Sequence, residues 1–103
     1  MLTVVRKKPM YDSGIMKDGE PLKIMPLSKK DFEKISDLGE SFKGLDVTAQ
    51  LKETYRMCHI ILGANSAGLE ITEAEVNEID LVTVAEIIKE YMDFMRGIKN
   101  DPN

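Results

Sequence analysis

The sequence predicts a mainly α, α+β domain, in which a small N-terminal β-hairpin is followed by about four helices. Three observations lead there. An Asp18-Gly19 pair sits between short apolar runs, two Thr-x-x-Glu capping boxes stand at 72–75 and 83–86, and apolar stripes at helical spacing follow the cap residues. The 103 residues suit one domain with a modest core.

Residues 1–13 mix Val4, Val5, Met10 and Tyr11 with Arg6-Lys7-Lys8-Pro9 and hold no period. Residues 1–14 read as a flexible arm or an edge strand, because Pro9 lacks a backbone donor. The hairpin is expected from Ile15 to Met25, turning at Asp18-Gly19, with Leu22 and Ile24 alternating against Pro21, Lys23 and Met25.

From Ser28 the period becomes helical. Ser28 caps the first helix with Asp31 in the reciprocal position, and Leu27 meets Phe32 as a hydrophobic staple. Phe32, Ile35 and Leu38 form the stripe, and Gly39 is expected to end the helix after about ten residues. Glu40–Leu45 reads as a loop.

Asp46 caps a second helix running to about Leu62. Its stripe is Val47, Leu51, Tyr55, Cys58, Ile61 and Leu62, with Met57 and Ile60 off it. Either this helix is central and buried on two sides, or the off-stripe pair forms a contact surface.

Ala64–Gly68 reads as a turn. Thr72 and Glu75 open a brief helix, stapled by Ile71 and Val76. Thr83 and Glu86, with Val82 and Ile87 as staple, are expected to open the last helix. Its apolar face is Val84, Ile87, Ile88, Tyr91, Phe94, Met95 and Ile98, and Gly97 and Pro102 mark its end. The domain spans 15–98, and 99–103 reads as a disordered tail.

Composition narrows the function. A single cysteine, Cys58, permits no internal disulfide or cysteine metal cage. Neither a signal peptide nor an apolar run of about 20 residues is found, so a cytoplasmic, non-membrane protein is expected. Net charge is −4, divided unevenly. Residues 1–30 carry seven Lys/Arg against three Asp/Glu, while residues 31–103 carry seven against fifteen. The acidic bulk disfavours nucleic acid.

Catalysis finds no constellation. His59 is the only histidine, on the Lys52 side of its helix, where a surface position is expected. Cys58 lies about 100° around the helix from it, so the two do not face each other as nucleophile and base. Glu86 and Glu90 lack an accompanying histidine at metal-binding spacing, and the glycines form no phosphate-cradling pattern. The chain reads as a non-enzyme without cofactor.

Seven methionines are many for this length, and methionine suits both irregular cores and adaptable contact surfaces. Met95 reads as core. Met57 and Met92, at stripe edges, fit either role. With Ile60 they are the candidate partner-binding residues.

Lys17-Asp18-Gly19-Glu20, the strand Leu22–Met25, and Pro26-Leu27-Ser28 opening a helix stand in order along the chain. Tyr55-Arg56-Met57, Ile71-Thr72-Glu73-Ala74-Glu75-Val76, Asp80-Leu81-Val82 and Ile87-Ile88 follow. In these residues and their order the chain resembles the tail assembly chaperones of long-tailed bacteriophages and prophages. The resemblance implies binding of the tape-measure protein and tail-tube subunits in the bacterial host cell, without catalytic residues to carry over. Homo-oligomers are compatible with this reading. The alternatives are a phage structural or adaptor protein of the head–tail connector type, or a small DNA-binding regulator using the basic arm.

Overall fold

A computed structural model describes residues 1–3 and 8–100 of the chain. Residues 4–7 of the expected arm and 101–103 of the expected tail, Pro102 among them, lie outside the described residues, as does the side chain of Ile98.

The hairpin pairs β1 (Tyr11–Lys17) with β2 (Glu20–Ile24), antiparallel. Asp18 and Gly19 both take positive φ, 52° and 80°, as a tight two-residue hairpin turn requires. Tyr11–Gly14, read as arm or edge strand, therefore open β1. Pairing steps from Asp12↔Lys23 to Met16↔Pro21, so Ser13, Gly14 and Ile15 bulge opposite Leu22. Side chains hold the bulge: Ser13 Oγ donates to the Leu22 carbonyl at 2.6 Å, and Asp12 Oδ1 accepts from Gly14 N at 3.0 Å. Leu22 and Ile24 are buried as alternation predicts.

Helix α1 (Lys29–Ser41) starts where expected, with Asp31 N donating to Ser28 Oγ at 3.2 Å. It continues through Gly39, because an interior glycine costs a helix only about 1 kcal/mol relative to alanine. Part of the expected 40–45 loop is therefore helix, and a 3₁₀ turn, Phe42–Gly44, follows. Among its residues only Ile35 is buried, so α1 is the most lightly anchored of the longer helices.

Helix α2 (Val47–Gly63) is capped by Asp46, whose Oδ1 accepts from Ala49 N at 2.8 Å. It packs against α1, α3, α4 and β2, which makes it the central element. Cys58, Ile61 and Leu62 are buried, but the first half of the expected stripe is not: Val47 is 81% and Leu51 43% exposed. Helical spacing groups residues on a face without saying how far a neighbour covers it.

Helix α3 (Glu73–Asn77) carries the full capping box, with the staple pair Ile71 and Val76 buried. Helix α4 (Leu81–Asn100) begins earlier than the second box predicts. Asp80 is the cap: its carboxylate accepts from Thr83 N at 2.9 Å and from Thr83 Oγ1 at 2.7 Å. The Val82–Ile87 staple fails for that reason, and Val82 stands 66% exposed. The helix passes through Gly97 to Asn100.

One ion pair fastens the hairpin to the helices. Lys17 Nζ donates to Glu75 Oε1 at 2.9 Å and also to the Glu70 carbonyl. The same carboxylate oxygen accepts from Thr72 N and Oγ1. These donors, Lys17 first, hold the Glu75 carboxyl at about 2, below its ordinary 4.5. A carboxyl depressed on folding contributes stability above its unfolded pKa and loses it as the pH falls toward the folded value. The denaturation midpoint should therefore decline between about pH 5 and pH 2. Glu75→Gln should lower the midpoint at neutral pH and flatten that decline, as urea titrations across the range would show. An unchanged slope would assign the acid sensitivity elsewhere.

Candidate functional site

The three residues singled out from the sequence do not come together. Met57 is 9% exposed and belongs to the core, which removes it as a contact residue. The physical reason is the central position of α2: with neighbours on several sides, a residue off the main stripe still meets one. Ile60 is half-buried and lines a shallow depression of about 290 Å³ with Asp31, His59, Gly63 and Ala64. Met92, also half-buried, lines a different feature.

That feature is an apolar groove of about 420 Å³ between the start of α1 and the last turns of α4. Leu27 and Phe32 form one wall and Met92 and Met95 the other, with Lys29 and Arg96 at the rim. Local chemistry builds each wall. Ser28 fixes the entry of α1, which places the staple residues Leu27 and Phe32 together. Ile35 is the only buried residue of α1, so the first turn is not drawn into the core and Phe32 remains 38% exposed.

The α4 wall is set by Tyr91. Its ring is fully buried and its hydroxyl donates to the Met25 carbonyl at 2.7 Å. Burial pushes that phenol up to about 12. Tyr11 packs edge-on against Tyr91 at 5.8 Å between centroids, and Phe94 lies tilted against both. Tyr11 OH also donates to Glu90 Oε1 at 2.7 Å, and burial and this carboxylate raise its pKa. With Tyr91 fixed inward, Met92 and Met95 sit about 60° apart around the helix and reach the groove. Met95, assigned to the core from sequence, is a half-buried wall residue.

The rim charges are loosely held. Lys29 lies 3.7 Å from Glu33 and Arg96 3.3 Å from Asp93, each pair within one helix and more than half exposed. Exposed pairs of this kind are worth about 0–1 kcal/mol, so either cation can exchange its carboxylate for another at little cost.

The remaining candidates are structural. His59 is half-buried, and its Nε2 donates to the Ile71 carbonyl at 2.5 Å, tying α2 to the start of α3; a plain surface position is corrected accordingly. It lines a polar cleft of about 410 Å³ with Lys52, Tyr55, Arg56, Glu73 and Asn77. There Tyr55 OH donates to the Ile79 carbonyl and Arg56 bonds Glu53. His59, Tyr55 and Arg56 are thus bonded within the protein. Cys58 is fully buried, and burial pushes its thiol up to about 11, where little thiolate forms at neutral pH. Among the described residues, no group of three His, Cys, Asp or Glu side chains is placed to hold a metal ion. No helix there is long and apolar enough to cross a membrane.

No protein-family model, curated protein or solved structure matches the chain.

Proposed function

We propose that this protein is a non-enzymatic binding protein that shelters an apolar segment of another protein in the Leu27–Phe32–Met92–Met95 groove. The proposed biological role is that of a tail assembly chaperone of a long-tailed phage or prophage, holding the tape-measure protein and tail-tube subunits in the host cytoplasm. The observation that carries the binding reading is the groove itself. Its lining is mostly apolar, its one aromatic ring, Phe32, is left partly exposed, and two unbranched thioether side chains form one wall. Methionine adapts to partners of differing shape, which a chaperone needs and an enzyme pocket does not. The order of hairpin, Pro-Leu-Ser helix start and late capping box supports the assignment to tail assembly.

Co-expression with the tape-measure protein of the same phage or prophage tests both parts. The wild-type chain should co-purify with it. Phe32→Asp should reduce recovery tenfold or more, about 1.4 kcal/mol, because it puts a charge where an apolar anchor docks. The variant should melt close to wild type, since Phe32 already meets solvent. No co-purification of the wild type over a range of salt would overturn the chaperone role. Equal recovery of Phe32→Asp would move the binding surface away from the groove.

A further inference from the structure

We infer that the groove selects a helical partner segment whose apolar anchors are flanked by acidic side chains, a refinement that rests on the groove being the binding surface.

Its architecture fixes the partner's backbone state. One wall is the helix α4, whose interior backbone groups are already paired, and the other is Leu27–Phe32, the entry and first turn of α1. An extended peptide would find no strand edge along them for its own N–H and C=O groups. A helix brings those groups already satisfied and offers side chains at i, i+3, i+4 and i+7 to the apolar floor.

Its charge fixes the flanks. The charged side chains lining the groove are both cations, Lys29 from one wall and Arg96 from the other. Lys29 and Lys30 also occupy the first turn of α1, beside the positive end of the helix dipole. Cations are unfavourable there for the helix itself, and the loose 3.7 Å pair of Lys29 with Glu33 offsets this only in part. Asp31 is the one acid of that turn. Apart from these two rim cations the chain carries eighteen Asp/Glu against twelve Lys/Arg. An acidic helix is thus repelled by most of the surface and drawn to this mouth, which sets its orientation as well as its affinity.

Methyl-labelled methionine reports on this directly, because Met92 and Met95 line the groove while Met57 lies in the core. The probes are two stapled helical peptides with identical apolar anchors, one flanked by Glu and the other by Lys, titrated into the full chain. The Glu-flanked helix should shift the Met92 and Met95 methyls, leave Met57 nearly still, and bind at least fivefold tighter at low salt. The preference should shrink as salt screens it, and Lys29→Glu should weaken or reverse it. Equal binding of the two helices at Met92 and Met95 would overturn the charge selection while leaving the groove reading standing. No shift at those methyls with either helix would overturn both. Shifts that grow with protein concentration alone would make a second copy of the chain the occupant, and overturn the assigned partner chemistry.

Discussion

Tyr91→Ala is expected to destabilise the protein by about 3–5 kcal/mol, the range for removing a fully buried aromatic side chain. A domain of this size has a total stability of roughly 5–15 kcal/mol, so the variant should be largely unfolded under mild denaturant. The loss has two sources. A fully buried ring packed against Tyr11 and Phe94 leaves a cavity, and the Met25 carbonyl loses its hydroxyl donor. Tyr91→Phe separates them: keeping the ring and removing the hydroxyl should cost about 1 kcal/mol. Urea titration of the two variants measures both. If Tyr91→Ala cost less than 1 kcal/mol, the α4–hairpin contact would not be a core contact. Because Tyr91 also sets the rotation of α4, Tyr91→Phe should keep partner binding nearly intact.

Asn65→Ala is the second large effect, expected at about 2–4 kcal/mol from a residue that lies in a turn. Asn65 is 3% exposed and makes three side-chain hydrogen bonds. Its amide nitrogen donates to the Leu62 and Leu69 carbonyls, each at 2.9 Å, and its oxygen accepts from Leu69 N at 2.9 Å. Alanine would strand three backbone groups, the Leu62 carbonyl in the core and the Leu69 carbonyl and N–H at its edge. The segment also lies against β2 on the side opposite β1. Asn65 bridges Ile24, Met25 N donates to the Ala64 carbonyl, and Ser66 N donates to the Lys23 carbonyl. Loosening the turn should therefore raise hydrogen exchange along β2 as well as lower the unfolding midpoint. An effect below 1 kcal/mol would mean that water replaces the amide.

Asn65 illustrates where sequence reasoning stops. A polar residue in a Gly- and Ala-containing turn reads as solvent-exposed, and only pairing with a strand far away in sequence buries it. Features set by near neighbours were legible: the Asp18-Gly19 turn, the Ser28 and Asp46 caps, the Thr72–Glu75 box, and the alternation of Leu22 with Ile24. The start of β1 was hidden because its bulge breaks the period of two. The start of α4 was misplaced because Thr83-x-x-Glu86 fits a capping box as well as Asp80-x-x-Thr83 fits a cap. Nothing local distinguishes which oxygen takes the first free N–H.

The groove was half legible. Leu27 and Phe32 were recognisable as a staple and Met92 as a stripe-edge residue. Their meeting depends on how far α1 is drawn into the core, and a single buried residue, Ile35, decides that. Met57 went the other way, because a helix packed on several sides has few edges left for solvent. The exposed apolar pair Val47 and Leu51, near the start of α2, is a rival surface that the fold leaves open.

Hydrogen exchange of the chain co-expressed with the proposed partner, a tape-measure protein, compared with the free chain, separates the two surfaces in one experiment. The groove account predicts new protection at Leu27–Phe32 and at Met92–Arg96, with Val47–Leu51 unchanged. Protection confined to Val47–Leu51, with the groove exchanging as in the free protein, would contradict it.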